Sequence, residues 1–118
     1  MPQITLEHST HFDNADFRAL ALEIHHLCVE HVGATLPSCK TRIVKAENLI
    51  IADGAPDQAM AHCDLRILSG RTQEQKTALG KAVQQSMIAA LTQHDGPRQI
   101  SVEIGELDKP NYHKVTAG

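Results

Sequence analysis

The residues best suited to chemistry in this chain are a proline directly behind the initiating methionine and two well-separated arginines. Methionine is normally removed before a residue as small as Pro2, and its removal leaves a secondary amine at the head of the chain. Such an amine carries one lone pair on a rigid ring. It serves as a general base near neutral pH when burial or neighbouring positive charge disfavours its protonated form. The plainer reading of Pro2 is a residue that starts a strand, where the missing N–H costs nothing.

Ser69-Gly70-Arg71-Thr72 falls where an alternating segment hands over to a helical one. Unpaired amides at a helix start, together with the Arg71 guanidinium, make a site for a carboxylate or phosphate. Gly70 favours close backbone approach, and Thr72 stands at the helix entry; a capped helix with a solvated arginine and a glycine turn is the commoner meaning of the same residues. Arg42 lies in Lys40-Thr41-Arg42-Ile43-Val44-Lys45, where Lys40, Arg42 and Val44 share one face. Its planar fork suits both oxygens of a carboxylate, although charge on a strand edge also serves simply to keep that edge solvated.

Other chemistries find little support. The chain has eight histidines, but His25 and His26 diverge on a helix, His31 lies further along, and the His8 and His11 pair has no partner motif. No HExxH or CxxC accompanies them, so no metal is expected, and His62 reads as a hydrogen-bonded structural residue. A GxSxG elbow, a Walker A loop and a GxGxxG turn are also missing from the sequence, leaving hydrolase, NTPase and dinucleotide readings without a motif.

The elements that must position these residues form a doubled pattern. Gln3 to Ser9 alternates as a half-buried strand. Asp13 or Asn14 is the expected cap of a first helix whose apolar face is Leu20, Ile24, Leu27 and Cys28, running to about Val32 and stopping near Gly33. A short strand over Lys40 to Ala46 follows Pro37, and Asn48 to Pro56 reads as an apolar turn or edge segment closed by Ala52-Asp53-Gly54. The order then recurs: a strand over Ala59 to Leu68, a capping box from Thr72 to Gln75, a helix with Leu79, Val83, Met87, Ala90 and Leu91 to about Gln93, a stop at Gly96-Pro97, and a strand through Ile100, Val102 and Ile104. Leu107 to Gly118 remains as a polar tail. Two β-α-β units predict an α+β fold with a four-stranded mixed sheet and both helices on one face. The other face needs cover, which a symmetric oligomer supplies.

The 118 residues suit one domain, 1–118, with aliphatic residues and alanine filling a core that has no Trp, one Tyr and two Phe. A net charge of -3 offers no global attraction for nucleic acid or anionic lipid. Cys28, Cys39 and Cys63 are odd in number and widely spaced, consistent with reduced thiols used for packing. No segment approaches the ~20 apolar residues of a membrane span, and the first residues lack the regions of a signal peptide, so a cytoplasmic location is expected.

Taken together, Met1-Pro2 entering a strand, Thr41-Arg42-Ile43, Ala52-Asp53-Gly54 with Asp57, the run His62 to Arg71, and Glu103-Ile104-Gly105-Glu106-Leu107 resemble the 5-carboxymethyl-2-hydroxymuconate isomerases of the tautomerase superfamily over nearly the whole chain. The resemblance implies a homotrimer and a cofactor-independent isomerase acting on a small carboxylate substrate from bacterial aromatic breakdown. It further implies Pro2 and Arg42 as catalytic residues and Arg71, with Gly70 and Thr72, at the substrate's acid groups. Two alternatives share this fold: a tautomerase for a simpler enol acid such as 2-hydroxymuconate or phenylenolpyruvate, and a trimeric ligand-binding protein without catalysis.

Overall fold

Alternation of side chains decides which strand faces are buried. In the computed structural model, which describes residues 1–118, strand β1 (Gln3–Ser9) buries Ile4, Leu6 and His8 on one side. Strand β2 (Lys40–Ala46) runs parallel to it, with Gln3 opposite Lys40 and Thr5 opposite Arg42. On the other flank β1 meets β3 (Ala59–Leu68) antiparallel, and β3 pairs in parallel with β4 (Arg98–Leu107). The result is one mixed four-stranded sheet in the order β2-β1-β3-β4. The two parallel pairs are the two β-α-β units of the sequence, joined back to back through β1 and β3.

Helix α1 (Phe17–Val32) and helix α2 (Gln73–Ala90) cover the same sheet face. Leu20, Ile24 and Cys28 from α1 meet Leu79, Val83 and Met87 from α2 above Ile4, Leu6, Ala61, Cys63, Leu65 and Ile67. Each fully buried aliphatic side chain there contributes on the order of 1.5–3 kcal/mol, so this layer is the main source of stability. Cys28 and Cys63 belong to it as free thiols, and burial pushes both up to about 12, which keeps them protonated and inert. The opposite face carries Thr5, Glu7, Arg42, His62, Asp64 and Glu103, a polar layer with no helix over it, by the same alternation and register. There the His62 ring is bonded to the Ser101 hydroxyl at 2.7 Å.

Local chemistry sets the helix ends. Gly33 takes φ 67° beyond Val32 and its N–H bonds back into the last turn, a left-handed stop that glycine adopts without strain. Thr72 and Gln75 form the expected reciprocal capping box on α2. The start of α1 differs from expectation: its cap is Asp16, whose carboxylate accepts from the Ala19 N–H at 3.0 Å, rather than Asp13 or Asn14. A 3-10 turn over Thr10–Phe12 buries Phe12 and takes Asp13 as its own C-cap, the Asp13 N–H donating to the Thr10 carbonyl at 3.2 Å. Helix α2 ends at Ala90 instead of about Gln93, because Leu91 leaves the helical path to enter the core while the Gln93 amide caps the Ala90 carbonyl. Strand β4 extends past Ile100 and Ile104 at both ends, paired with β3 along its full length. Residues 48 to 56 form turns and no strand, with Ile50 84% exposed. No helix is long and apolar enough to cross a membrane.

Candidate active site

Pro2 is fully buried where β1 begins, and its carbonyl accepts the Lys40 N–H at 3.3 Å. A proline fits that place because the ladder asks it only for an acceptor. With Met1 attached the Pro2 nitrogen is an amide and has no basic lone pair. The free amine belongs to Met1, which donates to the Ser38 carbonyl at 2.7 Å. Ser38 is carried there by the 3-10 turn Leu36–Ser38, and Lys40 Nζ reaches the same carbonyl, also at 2.7 Å. Burial, and then the Lys40 charge, lower the amine from 8.0 to about 6. The sign follows from both causes: desolvation and a like charge each penalise the ammonium form, so at pH 7 the neutral base predominates.

This amine opens into a cavity of about 550 Å³, the largest of three in the molecule and of a size that admits a small organic acid. Its walls come from distant parts of the chain. Met1 stands beside Ala34 and Ser38 from the α1–β2 connection, Leu68 at the end of β3, Arg71 from the β3–α2 connection, and Lys109, Tyr112 and Lys114 from the C-terminal tail. Every charged side chain among the lining residues is cationic.

Arg71 is half-buried and held from behind. Its Nε donates to the Val32 carbonyl at 3.0 Å and Nη1 to the Leu68 carbonyl at 3.3 Å. Val32 ends α1, where exposed carbonyls concentrate negative partial charge, so the guanidinium is doubly favoured there. It has no carboxylate partner, leaving its remaining donors for an anion.

Its sequence neighbours stand differently. Gly70 is exposed with φ 117°, and a Cβ added there would touch nothing within 4 Å, so glycine serves the backbone angle rather than space. The Thr72 hydroxyl accepts from Gln75 N–H at 3.1 Å, and the Thr72 N–H donates to Gln75 Oε1 at 2.9 Å. The helix start thus spends part of its donors on its own cap, and neither Gly70 nor Thr72 lines the cavity. Thr72→Ala is expected to cost about 1 kcal/mol of stability, read as a lower thermal midpoint.

Arg42 is exposed on the open face of β2, outside the lining of this cavity. One chain therefore brings together Met1 and Arg71, while Pro2 lies buried directly behind Met1 and outside the lining, and Arg42 stands apart. The tail residues were not foreseen from the sequence. Their only local sign is the basic and aromatic run Lys109-Pro110-Asn111-Tyr112-His113-Lys114. Tyr112 is fixed by a contact that no periodicity reveals, its hydroxyl accepting from Gln3 Nε2 at 2.9 Å across 109 positions.

The family model for 5-carboxymethyl-2-hydroxymuconate isomerase matches residues 2–117. Among solved structures, a 5-carboxymethyl-2-hydroxymuconate isomerase from Deinococcus radiodurans R1 is similar with a TM-score of 0.80 at 20% identity, over 98% of this chain and 90% of that one. A 5-carboxymethyl-2-hydroxymuconate delta-isomerase gives 0.67 at 20% identity, over 100% and 89%. A fused 4-OT described as a symmetric trimer gives 0.70 at 26% identity, over 93% and 89%. No curated protein matches the sequence.

Proposed function

Because the chain belongs to the 5-carboxymethyl-2-hydroxymuconate isomerase family, we propose that it ketonises 5-carboxymethyl-2-hydroxymuconate or a closely related dienol acid, with the Pro2 amine as base once Met1 is removed. The observation that carries this reading is that the terminal amine, here that of Met1, lines a cavity with Arg71 in which every charged side chain is cationic. Loss of Met1 would leave the Pro2 nitrogen as the terminal amine one residue further in, close to the same Ser38 and Lys40 groups.

In this mechanism Pro2 takes the proton of the substrate's enol hydroxyl. The electron pair moves along the conjugated chain, and the same proton is returned to a carbon further along. No electrons leave the substrate, so the reaction calls for no redox partner. Arg71 binds a carboxylate and holds the substrate in register with the amine. Arg42 would stabilise the negative charge of the dienolate from a neighbouring subunit of a homotrimer. The uncovered polar sheet face and the two free edges, β2 and β4, support such an assembly, as does the symmetric trimer of the fused 4-OT relative.

The test is an ultraviolet assay of Pro2-started protein on 5-carboxymethyl-2-hydroxymuconate, 2-hydroxymuconate and phenylenolpyruvate. A clear preference for the first is expected; equal, feeble rates on all three would overturn the substrate assignment. The pH profile is a second check. Protonation of the amine removes the base, so kcat/KM should fall on the acid side, and the burial and Lys40 charge that lower the Met1 amine should act on its Pro2 successor in the same direction.

A further inference from the structure

The tail after β4 does not leave the molecule. From Leu107 it turns through Lys109–Asn111, and Tyr112 is pinned to Gln3 on the first strand. This strap carries Lys109 and Lys114 to the cavity that holds the terminal amine and Arg71. Neither lysine forms a salt bridge, although the chain as a whole is net negative by three charges. Both lysines are exposed and line the same cavity as Arg71, with no carboxylate in the lining, so an anion entering there meets cations that have no counter-charge of their own. The lowered affinity of the Met1 amine for its proton has Lys114 among its causes, which agrees with that placement.

We propose that the C-terminal strap is a specificity element of the substrate site, in which Lys109 and Lys114 bind a second carboxylate at the end of the ligand remote from Arg71. The inference rests on the proposed function and deepens it by assigning the tail a role. A ligand with acid groups at both ends is gripped at both. A monocarboxylate leaves the lysines solvated and gains less. Gln3 acts as a positioning residue, holding the strap through Tyr112, which itself lines the cavity.

The experiment compares the Pro2-started enzyme with the Lys109→Gln/Lys114→Gln double variant. For the tricarboxylate dienol, KM should rise about tenfold, equivalent to about 1.4 kcal/mol, with little change in kcat. The ratio of kcat/KM for that substrate over phenylenolpyruvate should fall by a similar factor, salt dependence should weaken, and the corresponding double arginine variant should restore the ratio. An unchanged ratio, or an equal loss on both substrates, would overturn the proposal. Should the wild type turn over no dienol at all, the proposed function fails, and calorimetry with propane-1,2,3-tricarboxylate decides the strap separately. Binding weakened about tenfold in the double variant supports it; equal affinities, or no binding to the wild type, refute it.

Discussion

Replacing Pro2 by alanine in chains that have lost Met1 is expected to lower turnover by about 10²–10⁴-fold, the range that a positioned general base contributes. Alanine still presents an amine, but a primary one that rotates freely and lacks the ring now packed into the core. The proline nitrogen has a single orientation fixed by that ring and by the backbone bond between Lys40 and the Pro2 carbonyl. The variant should fold, since the ring is a small part of the buried layer, with a stability cost of about 1 kcal/mol. Circular dichroism and the association state should match the parent. Undiminished turnover would remove Pro2 from the mechanism and favour a protein that binds its ligand without transforming it.

Arg42→Ala should lower turnover by about 10²–10³-fold, the usual cost of losing a donor to a developing oxyanion. The structure makes this prediction sharper, because Arg42 lies on the open face of an edge strand and does not reach the cavity of its own chain. Its effect must then be exerted in a neighbouring subunit. Mixing Pro2→Ala and Arg42→Ala chains, unfolding them and refolding them together should regenerate about a quarter of the parent rate, since about three quarters of the rings are mixed and each mixed ring has one of its three sites intact. No recovery, with mixed trimers demonstrated by mass, would place Arg42 outside the neighbouring site.

Much of the framework can be read from local pattern. The bounds of β2 and β3 follow from alternation and flanking breakers, and the Thr72–Gln75 box and Gly33 stop are written in a few adjacent residues. The misses have definite causes. Asp13, Asn14 and Asp16 are all competent caps, and Asp13 is engaged as the C-cap of the Thr10–Phe12 turn while Asp16 caps the helix. Leu91 continues the apolar period of α2 although the backbone has already left the helix. Arg98 and Gln99 are polar, and join β4 through pairing with β3 alone.

The site divides along the same line. Arg71 stands out in sequence because a strand-to-helix turn marks it, yet its direction is set by the Val32 and Leu68 carbonyls, which draw it toward the end of α1 rather than along the start of α2. The strap shows locally only as a basic and aromatic run, because the contact that fixes Tyr112 is a hydrogen bond between the two ends of the chain.

The most direct measurement joins intact mass to activity on one sample. Untagged protein is separated into chains beginning at Met1 and at Pro2, each confirmed by mass, and each is assayed for ketonisation of 5-carboxymethyl-2-hydroxymuconate. A base at Pro2 predicts that activity follows the Pro2-started fraction and that the Met1 form is at least about a hundredfold slower while folded alike. Equal rates from the two forms would contradict the account, since an amide nitrogen cannot take the proton.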